Sequence, residues 1–347
     1  MDIATLHIGP YAPRNNVFLA PMAGITDAPF RAAALRLGAG LVVAEMAADR
    51  ELLEGRHFRR IGAVDEDVAG AVPFMVQLAG HDPDLMARAA RFARRHGADI
   101  IDINMGCPAK MVTGKLSGAA LMREPARARA IVRAVIDAAG GAPVTLKTRL
   151  GWDDAHRNAG DIALMAADEG VALITIHGRT RQQFYTGRAD WRAVGDVVRR
   201  LRAAGHAIPV IVNGDVVDAA SARAALAQSG AEGVMVGRAA TGRPWLPGEI
   251  AESLRPGAGI APLSPARQAL EITRLHEALC AFHGERAGVR RARKHLKAAL
   301  LHWRARGWLE ADEASGLLRR LLRCERAGAV RADLRDIAER MRYREAA

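Results

Sequence analysis

Ile100 to Ala109 reads IIDINMGCPA, an apolar run that stops at Asn104 and hands over to Met105, Gly106, Cys107 and Pro108. Ile100, Ile101 and Ile103 are β-branched and favour a pleated, buried strand, with Asp102 and Asn104 alternating among them. Gly106 permits a tight turn, and Pro108 drives Cys107 towards extended backbone. The segment therefore predicts a strand whose carboxyl end presents a thiol on a loop of little freedom. The competing reading is a small buried cysteine in a βα turn, since free Cys is among the most buried residue types. What stands at the ends of the other strands decides between the two.

Working outward, seven further β-type runs share this character: residues 17–20, 41–45, 74–78, 144–147, 173–176, 210–212 and 233–236. Between them lie Ala- and Arg-rich segments with helical periodicity, such as 84–96, 126–139, 158–169, 191–204 and 218–228. Eight alternations of strand and helix make an α/β (β/α)8 TIM barrel; a doubly wound sheet usually needs five or six strands and a Gly-rich first turn, absent here. Beyond about Gly248 the strand pattern stops. LRPGAGIAPLSP, rich in Gly and Pro, reads as a linker, and helical spacing resumes over 266–282, 287–304, 312–323 and 332–344, with Gly284, Gly307 and Gly328 near the breaks. The expected organisation is a barrel domain at 1–250, a linker at 251–265 and a helical domain at 266–347.

Composition narrows the setting. No run of eighteen uncharged apolar residues occurs, and the N-terminus lacks a basic segment followed by an apolar one, so a cytoplasmic protein away from membranes is expected. Cys107, Cys280 and Cys324 form no CxxC, which suggests neither disulfides nor a metal site. The net charge is +12, and from Ala251 onward 20 Lys and Arg face 12 Asp and Glu. A basic segment is an electrostatic footprint for nucleic acid or an anionic membrane face; its competitor is an Arg-rich but merely solvated helix surface. The run RRARKHLKAALLHWRARGW, ending at Trp308, adds Trp303 and Trp308 to the cations, the pairing that RNA contact needs, although Trp303 reads equally well as core.

Function in a barrel sits at the carboxyl ends of the strands. Those ends are APMAGITD (with Pro21, Met22 and Ala23), Gln77, NMGCPA, Lys147 and Arg149, His177 with Gly178 and Arg179, then Asn213, Gly214 and Asp215, and finally Gly237 and Arg238. Any one of these is easily a satisfied structural polar residue; seven sets at one level are not. The loops after strands 7 and 8 suit a phosphate, because Gly214 and Gly237 let backbone approach an anion and Arg238 offers a fork of donors.

The motifs APMAGITDAPFR, VQLAG, DINMGCPAK, KTRLGW, TIHGRTR, VIVNGDV and VMVGRAA, in this order and spacing, resemble the bacterial tRNA-dihydrouridine synthases, most closely their B-type branch, with RKHLK echoing the family's helical domain. The resemblance covers nearly the whole chain and implies tRNA as substrate, FMN as cofactor and NADPH as reductant. It implies a flavin held by Pro21, Met22, Ala23, Gln77, Lys147, His177, Asn213, Gly214, Asp215, Gly237 and Arg238. Cys107 would be the catalytic acid, giving a proton to ring carbon 5 of an extruded uridine whose carbon 6 takes the hydride. Asn104, Arg149 and Arg179 would hold the uracil and its phosphate. Residue chemistry agrees with the acid role, since a general acid must hold its proton at working pH and thiols ordinarily do. Two rival classes are an FMN barrel acting on a small molecule, which would not need the basic helical segment, and a tRNA-binding protein with a silent barrel, against which the intact strand ends argue. A monomer is expected.

Overall fold

The computed structural model describes residues 6–54, 62, 72–255, 257 and 262–346. Among these residues nine strands form one parallel sheet: β1 Val17–Leu19, β2 Leu41–Val42, β3 Ala47–Ala48, β4 Met75–Ala79, β5 Ile100–Met105, β6 Val144–Arg149, β7 Leu173–His177, β8 Val210–Asn213 and β9 Gly233–Val236. The hydrogen-bonded order is β2-β1-β9-β8-β7-β6-β5-β4-β3. β2 and β3 are two halves of one barrel stave. Leu19 pairs with Val42 on one side, Val43 bridges Met75, and Ala47 pairs with Leu78 on the other, so the chain from 41 to 48 passes from β1 to β4 and closes the ring. A tilted stave must exchange neighbours along its length in this way. The expected run at 41–45 is thus the first part of a longer, interrupted stave.

Helices Pro83–Arg95, Pro125–Ala138, Ala159–Asp168, Trp191–Ala203 and Ala219–Ser229 fall within a residue or so of their expected spans. Their starts are chemically marked: Asp82, Asp190 and Asp218 each accept a backbone N–H of the first turn. Side chains alternate across a strand, so the register sorts them into rows. Gln77, Asp102 and Thr145 are paired in one row, Asn104 and Lys147 in another, and Arg149, His177 and Asn213 in a third. Lys147 Nζ reaches Asn213 Oδ1 at 3.0 Å across the intervening β7, a path that exists only inside the ring. These rows therefore face the barrel interior, and the alternate set, Ile101, Ile103, Leu146, Ile174 and Ile176, turns outward beneath the helices, fully buried.

Helix Leu246–Leu254 carries the chain four residues into the segment expected to be linker, while 256 and 258–261 lie outside the described residues. Helices Pro265–His283, Glu285–Ala305, Ala311–Arg323 and Ala327–Ala346 follow. Gly284 and Gly307 have positive φ between helices as expected, but Gly328 lies inside the last helix, which begins at Ala327 rather than 332. The basic helix Glu285–Ala305 turns Leu296, Ala299, Leu300 and Trp303 inward. Trp303 is fully buried and its indole N–H donates to Gln268 Oε1, so of its two readings the core one holds and the RNA-facing one does not: at helical spacing it completes the stripe that packs the bundle. Arg290, Lys297, Arg304 and Arg306 stay exposed.

The helical segment is joined to the barrel by specific contacts. Phe30 stacks on His295 with ring centroids 4.8 Å apart, Arg36 pairs with Glu271, and His283 Nε2 lies 2.8 Å from Asp27 Oδ2. Gly242 (φ +68) approaches so closely that a Cβ there would stand 2.4 Å from the His295 carbonyl oxygen.

Candidate active site

Cys107 stands where β5 ends, half-buried, and its loop is held from both directions. Asn104 Oδ1 accepts from Gly106 N (3.1 Å) and Cys107 N (2.9 Å), while the Cys107 carbonyl accepts from Ala119 N (3.1 Å). The Asn104 amide N–H donates to Gln77 Oε1 (2.7 Å), and Gln77 Nε2 donates to Asp102 Oδ2 (2.6 Å). Asp102 also accepts from Thr145 Oγ1 at 2.6 Å. Burial pushes its carboxyl up to about 6, opposed by these hydrogen bonds and by Lys147.

Three cationic groups and an imidazole come next. Burial and then the neighbouring Arg149 bring Lys147 down to about 8, against the pull of Asp102, so at neutral pH it remains largely charged. His177 is held well below its ordinary value, first by burial and then by Arg149, Lys147, Arg179 and Arg238, and is therefore neutral. Its Nδ1 is buried without a hydrogen-bond partner among the described residues. Arg149 is brought to about 10 by burial; its Nε donates to Gly106 O, and its Nη1 to Thr180 O and Phe184 O. Arg179 donates from Nη2 to both carboxylate oxygens of Asp215 (2.8 and 2.7 Å) and to Gly187 O, and from Nε to Thr186 O. Both guanidinium groups thus tie down the loop after β7.

The last two strand ends differ from these. Asp215 (φ +54) has its carboxylate taken by Arg179 and Ala189 N, and Asn213 Nδ2 donates to Met235 O. Gly214 has φ +109, and a Cβ there would meet Ala189 at 2.8 Å and His177 Nε2 at 3.3 Å, so only glycine fits. Over Gly237 there is room: the nearest atoms to a Cβ would be Ala20 Cβ at 3.8 Å and Met22 Sδ at 4.0 Å. Beside this space a short 3-10 turn starts at Arg238, whose side chain is 55 % exposed, with its guanidinium 3.7 Å from Asp215 Oδ1 and 4.5 Å above the Tyr185 ring. Ala23 is exposed, with Pro21 and Met22 partly so.

The strand ends therefore bring all the expected residues to one mouth, in different postures. Gly237 and the exposed Arg238 border the open space and His177 Nδ1 has no partner among the described residues, whereas Lys147 is held by Asn213, and Asn104, Gln77, Arg149, Arg179 and Asp215 likewise have side chains engaged by protein partners. Sequence reasoning misses Asp102 and Thr145, which only the register reveals as interior. It also misses the rim: Trp152, with Arg123 and Arg181 at 4.9 and 4.6 Å from its ring, and the exposed Phe184–Tyr185 pair, edge to face at 4.5 Å. The pairing of Trp152 with KTRLGW and of Tyr185 with the loop after β7 is a usable signal.

A parallel barrel with a thiol, a buried lysine and an anion-suited glycine loop at its carboxyl mouth defines an enzyme of the TIM-barrel class. Solved structures similar in fold include the old yellow enzyme homologue from Zymomonas mobilis, 15 % identical with a TM-score of 0.51, covering 74 % of this chain and 94 % of that one. Histamine dehydrogenase from Rhizobium sp. 4-9 is also 15 % identical, with a TM-score of 0.52, covering 80 % of this chain and 50 % of that one. The family model for dihydrouridine synthase (Dus) matches residues 18–322. A probable tRNA-dihydrouridine synthase of Rhodobacter capsulatus is 49 % identical over 92 % of this chain and 93 % of its own length. A tRNA-dihydrouridine synthase B of Xanthomonas axonopodis pv. citri is 46 % identical over 84 % and 85 %. The chain belongs to the dihydrouridine synthase family.

Proposed function

We propose that the protein reduces a uridine of tRNA to 5,6-dihydrouridine, using FMN and NADPH. The observation that carries this reading is the placement of the half-buried Cys107 at the same mouth as the His177 Nδ1, which no described residue engages, and the open space over Gly237. That space and its donors fit a flavin mononucleotide: Arg238 and the turn it starts suit one phosphate, while Lys147, Asn213 and His177 suit the polar edge of the ring system, beside Pro21, Met22 and Ala23. Held there, a flavin would supply hydride chemistry for ring carbon 6 of uracil, with NADPH as its two-electron source.

The chain's own residues do the rest. Cys107 Sγ gives its proton to ring carbon 5 and recovers one from solvent, so that one hydride and one proton saturate the C5=C6 bond. Lys147, charged at neutral pH, favours negative charge at the mouth, where uracil carbonyl oxygen gains electron density. Asn104, Gln77, Arg149, Arg179 and Asp215 act by position: they anchor the loops that carry Cys107 and the rim. A uridine stacked within tRNA cannot reach this depth and must be flipped out.

The rim supports the tRNA half of the reading more than Trp303 does. Exposed Phe184 and Tyr185 offer aromatic surface with Arg238 over the Tyr185 ring, and Arg123 and Arg181 flank Trp152, so both aromatic sets carry cations for phosphates. Helix Glu285–Ala305 adds exposed charge. Phe184→Ala should weaken tRNA binding about tenfold, within the range of about 1–3 kcal/mol for a stacked base, while flavin content stays at wild-type level; filter binding and absorbance at the flavin band measure the two. Arg238→Ala should lower flavin retention about tenfold through loss of a charge-assisted contact, discounted for its exposure, as read from the free flavin released on dilution. The reading as a whole is tested by mass-spectrometric mapping of dihydrouridine in tRNA from a deletion strain: at least one position must revert to uridine.

A further inference from the structure

We propose that Asp102 is a positioning residue whose carboxylate sets the direction of a hydrogen-bond chain through the Gln77 and Asn104 side-chain amides, and so fixes the backbone of Cys107. The inference rests on the role given above to Cys107 and deepens it.

The direction of the chain follows from what each group can do. An ionised carboxylate only accepts, whereas each amide has one accepting and one donating end. Asp102 takes Thr145 Oγ1 on one oxygen and Gln77 Nε2 on the other, both at 2.6 Å. Gln77 is thereby left with its oxygen towards Asn104, 2.7 Å away, and Asn104 must present its N–H2 there. Only then does Asn104 Oδ1 face the backbone N–H groups of Gly106 and Cys107. Turning over Gln77 would set acceptor against acceptor at Asp102 and donor against donor at Asn104, and turning over Asn104 would set acceptor against acceptor at Gln77 and strand the two backbone N–H groups. Asp102, Gln77 and Asn104 are 2 %, 1 % and 7 % exposed, so water is not at hand to repair a broken link. The geometry is fixed by the barrel register, since Gln77 and Asp102 are paired across β4 and β5 and Asn104 lies two residues further along the same face.

A residue that merely packs would behave differently from one that sets polarity. Asp102→Asn keeps the volume but gives the first group of the chain a donor end. Hydrogen exchange of the Gly106 and Cys107 amides should quicken about tenfold, the scale of one lost hydrogen bond. In the flavin-loaded enzyme, transfer to tRNA uridine should slow about tenfold or more, with tRNA affinity unchanged. Adding Gln77→Glu moves the carboxylate one link along: it accepts from the new amide at 102 and from Asn104, so exchange at Cys107 should return towards wild type whether or not flavin is bound. Thr145→Val removes a buried donor to Asp102 without altering the direction of the chain, and should lower stability but leave exchange at Cys107 unchanged.

Unchanged exchange in Asp102→Asn overturns the proposal, as does a double variant that exchanges as fast as a random loop, or equal quickening in Thr145→Val. Quickened exchange with wild-type transfer rates also overturns it, because positioning would then have no consequence for the reaction. Failure of the underlying reading looks different: Cys107→Ala would transfer at the wild-type rate.

Discussion

In Cys107→Ala, reduction of the bound flavin by NADPH should proceed near the wild-type rate, while transfer from the reduced enzyme to tRNA uridine falls by about 10²- to 10⁴-fold, the usual contribution of a positioned general acid. The two events separate because the hydride and the proton arrive from different donors. The thiol is on the loop after β5, whereas Lys147 and His177 lie on later strands and Gly237 and Arg238 just after β9, so its removal leaves the flavin donor set in place. Stopped-flow absorbance at the flavin band reads each half-reaction alone. Ser at this position should rescue little, since a hydroxyl is a far weaker acid than a thiol. A cysteine that only packs predicts the reverse pattern, with a modest loss of stability, both half-reactions changed alike or neither, and Ser and Ala differing only in fit. Equal rates of uridine reduction in wild type and Cys107→Ala would remove it from the mechanism.

Affinity for tRNA should fall by about 10³- to 10⁵-fold between 50 and 200 mM salt if six to ten phosphates are neutralised, because each such pairing releases condensed counterion. The groups expected to do this are on two surfaces: Arg290, Lys297 and Arg304 on the basic helix with Arg306 at its C-terminal cap, and Arg123, Arg181 and Arg238 at the rim. Charge reversal of the four on the first surface should flatten the slope of log affinity against log salt by about one for each phosphate no longer neutralised, without changing flavin content. A slope near zero in the wild type would show that the positive balance after Ala251 is only a solvated face.

Eight β-type runs are enough to define the barrel, because parallel barrel staves are buried on both faces and therefore stand out as apolar stretches. The stave at 41–48 is legible only in its first half: Ala47 and Ala48 carry no β-branched signal, and their pairing with Leu78 and Ala79 is a long-range property. The mouth is legible as a set, since it consists of whatever polar residues end those runs. What each does is not, because Arg149 and Arg238 look equivalent in sequence and only the fold makes one a brace under three carbonyls and leaves the other facing solvent. Asp102 is hidden among isoleucines for a similar reason, as alternation announces that it faces away from them but not what it meets. Trp303 is ambiguous in sequence because basic charge and aromatic side chains adjoin along the chain, whereas the helix sends them to opposite sides.

The seam made by His283 on Asp27, His295 on Phe30 and the Gly242 crossing has a consequence for how a substrate is measured. A hinge would let the basic helix swing towards the mouth after capture. Here the basic helix is seated on the barrel, with Gly242 backed directly against the His295 carbonyl, so on the proposed function the protein would act as a fixed caliper. On the proposed function, selection of one uridine over another would be a matter of length: the base reduced would be the one whose distance from the bound backbone equals the gap, with the compliance needed to bring it there residing in the RNA.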